Sequence, residues 1–156
     1  MLMRSFTDWH RQRHVQDLHL IDQYFNIAEF DAELASLPGK YAPPHGQLLL
    51  ATLGGEPAGC VALRKMDTEC CEMKRMFVPL QLHGKGVGRA LAQAIVAQAR
   101  AMGFKSMRLD TSIRQREAQA LYKSLGFHPI EPYYPLSSEL RSWLVFMEMQ
   151  LQATDG

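Results

Sequence analysis

The stretch Leu82-His83-Gly84-Lys85-Gly86-Val87-Gly88-Arg89 sets three glycines at alternate positions, and the alanine-rich run ALAQAIVAQARAMG (90–103) follows without a break. Glycine reaches positive φ at no steric cost and leaves the main chain bare, so several N–H groups can converge on one object. The first amides of a helix have no partner inside it, and the aligned peptide dipoles add positive potential there. A loosened loop that feeds directly into a good helix predicts an anion site, most often for phosphate.

The flanking segments decide what fold carries the loop. Upstream, QLLLATL (47–53), the turn GGEP (54–57) and AGCVALRKM (58–66) predict an antiparallel hairpin. A turn at Asp67-Thr68 leads into ECCEMKRMFV (69–78), whose alternation predicts a third strand, ended by Pro79 because proline cannot donate to a ladder. The loop then opens a helix over Val87–Met102, with Val87, Ala90, Leu91, Ala94, Ile95 and Met102 as its apolar stripe and Gly103 as its cap. Next come a strand at KSMRLDT (105–111) and a helix at REAQALYKSLGF (116–127), with Ala118, Leu121 and Leu125 inward and Gly126 at its stop. IEPYY (130–134) and WLVFMEMQL (143–151) predict two late strands. Ahead of the hairpin, HVQDLHLIDQYFN (14–26) and EFDAELASL (29–37) read as helices, the second stopped by Pro38-Gly39. This order predicts an α/β fold with a mixed sheet, parallel where helices cross over and antiparallel at the hairpins.

At 156 residues the chain is expected to form a single domain, 1–156, and its 47% hydrophobic and 21% charged content is ordinary for a soluble globular protein. A net charge of +1 provides no global field to recruit nucleic acid or an anionic membrane, and the basic run HRQRH (10–14) reads as a solvated helix face. There is no apolar run of signal-peptide length and no segment that could span a bilayer. Cys60, Cys70 and Cys71 offer neither a disulfide framework nor metal-ligand spacing. They read as buried strand residues in a reducing compartment, so a cytoplasmic location without a metal is expected.

Three kinds of phosphate loop compete for residues 82–89. A Walker loop needs Gly-Lys followed by Ser or Thr, and here Gly84-Lys85 is followed by Gly86. A dinucleotide fingerprint needs G-x-G-x-x-G, whose last position falls on Arg89 or Leu91, and antiparallel hairpins precede the loop where a parallel unit is required. The third kind is the pyrophosphate loop of coenzyme A. The span from about Glu72 to Phe127 resembles the GNAT superfamily of acyl-CoA N-acyltransferases, with weaker likeness from Tyr24 through Arg64. HGKGVG (83–88) aligns with the family's [RQ]-x-x-G-x-[GA], EMKRMFVP (72–79) looks like its central strand, and REAQALYKSLGF looks like its A-x-x-L-Y-x-x-x-G-F helix. His83 stands where the family usually has Arg or Gln, and Gln115 where it often has Asn.

The resemblance implies a three-layer fold whose mostly antiparallel sheet is splayed at the cofactor site, and an acetyl transfer from acetyl-CoA, as co-substrate, to a primary amine on a small molecule or protein. It implies that main-chain amides from Gly84 through Gly86, Val87, Gly88 and Arg89 hold the pyrophosphate. His83, Gln115 and Ala118 frame the site, and the Met76, Phe77 and Val78 main chain pairs with the pantetheine arm. Lys85 and Arg89 either add charge toward the phosphates or are simply solvated. Tyr122 is the expected proton donor to the departing sulfur, since a phenol keeps its proton at neutral pH. Glu72 is either the base that reaches the acceptor through water or a strand-face carboxylate paired with Lys74 or Arg64. Tyr24, Tyr41 and His45 fall in segments that flank the acceptor cleft in the family, and are candidate substrate contacts. A homodimer is compatible with the resemblance. The alternative to an enzyme is a non-catalytic acyl-CoA sensor on the same fold.

Overall fold

The computed structural model describes residues 32–35, 37 and 39–152. The helix expected over 14–26, with Tyr24, lies outside the described residues, and of the segment 29–37 residues 32–35 are helical. Six strands follow: β1 (Gly46–Leu53), β2 (Glu56–Lys65), β3 (Cys70–Phe77), β4 (Ser106–Ser112), β5 (His128–Ile130) and β6 (Leu144–Gln150). Three helices join them: α1 (Val87–Ala101), α2 (Arg116–Leu125) and α3 (Ser138–Trp143).

The strands form one sheet in the order β1-β2-β3-β4-β6-β5. Every neighbouring pair is antiparallel except β3 and β4, which are parallel and joined through α1. The mixed sheet inferred from the order of hairpins and crossovers is therefore the one observed. Between β2 and β3 the Asp67 carboxylate accepts the amides of Glu69 and Cys70, both at 2.8 Å, so the turn is closed by its own side chain.

Alternation along the strands sorts the core into two halves. On one face Val61, Leu63, Cys71, Met73, Met107, Leu109 and Met147 meet Leu91, Ala92, Ile95, Val96 and Ala99 of α1. The stripe of α1 is thus rotated from the expected one. Ala90 and Ala94 are exposed, and Ala92, Val96 and Ala99 take the inward positions, because in an alanine-rich run Leu91, Ile95 and Val96 alone carry enough apolar area to choose the face. On the other face Cys60, Ala62, Phe77 and Phe146 lie beneath Tyr41, Leu140 and Trp143, with Leu34, Tyr133 and Tyr134 at the margin. All three cysteines are buried. No helix among the described residues is long and apolar enough to cross a membrane.

The end of the chain departs from the sequence-based expectation. The strand expected over 130–134 is instead the three-residue edge strand His128–Ile130. Pro132 and Pro135 bracket the two tyrosines, remove ladder donors and lift Tyr133 and Tyr134 off the sheet. Their rings pack edge-on against Phe146 at 5.2 and 5.3 Å between centroids. The expected start of the last strand is taken by α3, which Ser137 caps by accepting the Leu140 amide at 3.2 Å.

Candidate active site at the splayed strand ends

Two irregularities of β3 make the site. Pairing between β3 and β4 covers only Cys70↔Ser106, Cys71↔Met107 and Glu72↔Arg108. Beyond Glu72, β3 stays with β2, whereas β4 stays with β6 as far as Ser112↔Leu144. A gap therefore opens at the carboxyl ends of two parallel strands, the end at which open α/β sheets bind ligands. The register between β2 and β3 also slips, from Ala62↔Lys74 to Cys60↔Phe77, so β3 carries one extra residue. Arg75 lies within that stretch at φ +58° and forms a bulge.

A cleft of about 780 Å³ opens from the gap. Met76, Phe77 and Val78 form one wall, the loop and first turn of α1 a second, and Gln115, Ala118 and Tyr122 a third. Every cofactor-binding candidate except Lys85, which is exposed outside the lining, borders this one cavity. Gly86 is the N-cap of α1 at φ +81°, with no side-chain cap, and an added Cβ there would meet nothing within 4 Å. The first helical bond runs from the Ala90 amide to the Gly86 carbonyl at 3.0 Å, so the amides ahead of it have no helical acceptor. Main-chain donors without a helical acceptor thus stand in the wall of the cleft, a cradle that fits a diphosphate.

His83 does not point at that cradle. Its Nε2 lies 2.8 Å from the Val78 carbonyl, and since a carbonyl only accepts, Nε2 carries the proton. His83 frames the loop by tying it back to the end of β3. Gln115 is likewise a brace: its Oε1 accepts from the Thr111 hydroxyl at 2.8 Å, joining the end of β4 to the start of α2. Arg89 donates to the Ser124 hydroxyl at 3.1 Å. Arg114 and Arg116 also line the cleft and went unremarked in the sequence. The signal for them was there, because two cations at a helix N-terminus oppose the helix dipole and call for another reason to be there.

Tyr122 is buried, and its ring meets Phe127 edge-on at 5.8 Å. Burial pushes its phenol well above the ordinary range, and the charge of Asp110 adds to the shift. Among the described residues no hydrogen-bond partner meets its hydroxyl, and the residue lines the cleft. An unpartnered buried hydroxyl fits a site completed by a ligand.

Glu72 is elsewhere. It is 1% exposed and lines neither cleft. Arg64 Nε donates to it at 2.8 Å, Lys74 Nζ lies at 4.0 Å, and the Tyr133 hydroxyl donates to its second oxygen. The pairing with Arg64 and Lys74 is the charge reading of this strand position, and Tyr133 was not foreseen. Beside it the Tyr134 hydroxyl donates to Asp110 at 2.8 Å. Burial first, then Asp110, pushes both phenols far up, so both remain donors. A second cleft of about 430 Å³ lies against this network, walled by Lys74, Arg75, Tyr134, Leu136, Ser137 and Leu140. Burial lowers the Lys74 ammonium pKa, and the charges of Asp110 and Glu72 oppose that shift.

Of the acceptor-side candidates, Tyr24 lies outside the described residues. Tyr41 is fully buried and spends its hydroxyl on Glu33 at 2.9 Å, so it does not reach either cleft. His45 is exposed in the turn before β1, where its carbonyl takes the Lys65 amide at 2.7 Å, and it too borders neither cleft. No group of three His, Cys, Asp or Glu residues among the described ones is placed to hold a metal ion.

Known proteins resemble the chain in sequence and in fold. The sequence profile described as "Acetyltransferase (GNAT) family" matches residues 3–127. An uncharacterised N-acetyltransferase of Schizosaccharomyces pombe is 38% identical over 125 residues, covering 79% of this chain and 75% of that one. The IAA acetyltransferase of Azospirillum brasilense is 37% identical over 112 residues, covering 70% and 71%. Among solved structures, a GNAT acetyltransferase from Elizabethkingia anophelis with acetyl-CoA bound superposes with a TM-score of 0.60 at 21% identity, covering 80% of this chain and 82% of that one. An acetyltransferase from Streptococcus agalactiae gives 0.70 at 20% identity, covering 95% and 90%. These two show the likeness of fold. The profile, which matches most of the sequence, and the relatives show the family: the chain belongs to the GNAT acetyltransferases.

Proposed function

We propose that the protein moves an acetyl group from acetyl-CoA to a primary amine by direct attack in a ternary complex. The observation that carries this is the convergence, on one cavity, of the bare amides heading α1, the stretch of β3 beyond its pairing with β4 and the unpartnered Tyr122 hydroxyl. Acetyl-CoA, when bound, supplies an activated thioester. The amides from Gly86 to Arg89 would hold its diphosphate, and the Met76–Val78 main chain would pair with its arm as an added strand. A main-chain N–H there would steady the carbonyl oxygen as charge builds on it. Tyr122 would give its proton, or a hydrogen bond, to the departing sulfur.

The amine enters from the second cleft in this reading. An alkylammonium with a pKa near ~10.4 is neutral in only about one molecule in 2,500 at pH 7, a scarcity worth roughly 4.6 kcal/mol. Glu72 is enclosed and borders neither cleft, so a proton from the amine would reach it by relay through Tyr133, which would pass its own proton to Glu72 as it takes up another. Glu72→Gln should lower turnover and leave CoA affinity near wild type. Unchanged turnover would leave Glu72 with the lesser task of holding Arg64 and Tyr133.

The decisive experiment pairs calorimetry with CoA and release of free thiol from acetyl-CoA over a panel of amines. Binding with amine-dependent thiol release supports the enzyme. Binding without release over the whole panel favours the acyl-CoA sensor, and no heat at millimolar CoA removes both readings.

A further inference from the structure

Arg75 is unlike every other described residue, being the one non-glycine position among them at positive φ. A left-handed arginine inside a strand is strained and persists only where its surroundings over-determine it. Here they do so from both sides. The Cys60 thiol donates to the Arg75 carbonyl at 3.4 Å. The guanidinium gives Glu33 a two-pronged bond, Nε to Oε2 at 2.8 Å and Nη2 to Oε1 at 3.1 Å, with both side chains 11% exposed. Glu33 is gripped in turn by the Tyr41 hydroxyl at 2.9 Å and Lys40 Nζ at 3.1 Å.

This carboxylate is therefore the hub of three donors, yet it borders neither cleft. Burial pushes its pKa up, but the hydrogen bond and charge of Arg75, helped by Tyr41 and Lys40, hold it at about 2. The clamp stays charged at any pH near neutrality. What it clamps lies in the bulged stretch of β3, and the residues just after Arg75, Met76–Val78, are a wall of the first cleft.

We propose that Glu33 is a positioning residue for the cofactor: by fixing Arg75 in its left-handed turn it holds the bulge that aims the Met76–Val78 main chain into the cleft. The inference rests on reading that cleft as the acyl-CoA site. It also links residues 32–35, far away in sequence, to the geometry of the central strand.

Glycine adopts positive φ without help, so it removes the need for a clamp. The test is calorimetry with CoA on the full chain, with a melting temperature for each protein: wild type, Glu33→Gln, Arg75→Gly and the double variant. Glu33→Gln should bind CoA about tenfold more weakly than wild type, the scale of one lost charge-assisted bond. In the Arg75→Gly background the same change should alter affinity by less than about twofold, because the coupled partner is gone. A purely structural role would lower the melting temperature and leave affinity alone, and that result overturns the proposal, as does an equal loss in both backgrounds. Arg75→Lys, which keeps the charge but not the fork, covers the case in which Glu33→Gln does not fold; it should weaken CoA binding, and unchanged binding overturns the clamp. A wild type that ignores CoA overturns the cofactor reading and the clamp with it, whereas a wild type and a Glu33→Gln that bind equally overturn the clamp alone.

Discussion

Replacing Tyr122 by phenylalanine removes one oxygen and separates chemistry from packing. The ring stays, so its edge-on contact with Phe127 and its burial are kept. The hydroxyl has no hydrogen-bond partner among the described residues, so no bond inside the described fold is lost. Burying an unpartnered hydroxyl costs about 1–3 kcal/mol, so the melting temperature of Tyr122→Phe should hold or rise. Turnover should behave in the opposite way. A hydrogen bond to a charged group is worth about 1.5–3 kcal/mol, so loss of the donor to a departing thiolate should lower kcat by roughly 10- to 150-fold, with CoA affinity near wild type. Burial and Asp110 both raise the phenol pKa, so Tyr122 keeps its proton up to at least about pH 10 and contributes no basic limb below that. The assay is free-thiol release at saturating acetyl-CoA and amine, with CoA affinity measured alongside. Its background is low, because burial hides all three cysteines and pushes the Cys60 and Cys71 thiols up to about 11 and about 12. A kcat within twofold of wild type, or a parallel loss of turnover and affinity, would refute the donor role.

Gly86→Val should abolish CoA binding while costing the fold on the order of 1–2 kcal/mol, since φ is +81° there and the new side chain would occupy the open space of the cradle. A CoA titration like that of wild type would count against the cradle. Stability should also fall steeply at alkaline pH. Tyr41, Tyr122, Tyr133 and Tyr134 all have phenols raised first by burial, so the folded chain keeps protons that the unfolded chain releases near ~10. Their contribution is complete below about pH 10 and is lost above it at up to ~1.4 kcal/mol per pH unit for each tyrosine. A melting temperature that stays flat between about pH 9 and pH 11 would contradict the burial of these hydroxyls.

The walls of the candidate cofactor cleft were legible because consecutive residues build them. The loop, the end of β3 and the first turns of α1 and α2 each read from a local pattern: glycines at alternate positions, an alternating strand ended by Pro79, an amphipathic helix. Features that depend on distant partners were not legible. The extra residue of β3 exists only as a register against β2, and its left-handed arginine is held by a glutamate 42 positions away. Tyr41, on a proline-rich loop, is expected as a substrate contact, whereas its hydroxyl is taken by Glu33. Tyr133 and Tyr134 carry strand propensity, and only the flanking prolines argued against a strand there.

The same contrast explains why the donor is named more closely than the acceptor. A diphosphate is recognised by main-chain amides, and a bare main chain leaves a compositional mark in the form of glycine. An acceptor amine is recognised by side chains, and the second cleft, proposed to take it, has its walls from β3, the segment around Tyr134 and α3. Each of those residues has an ordinary local explanation: Lys74 and Arg75 as strand charges, Leu140 as core, Ser137 as a helix cap. Their meaning comes from the gap between β3 and β4, which forms because α1 feeds β4 alongside β3 for only three pairs before the bulge parts them. If the second cleft takes the amine, as proposed, acceptor choice is a property of tertiary register. Substitutions in β3 that shift the bulge should then change which amine is taken more than substitutions within the glycine loop, which on the same reading would set the grip on the donor.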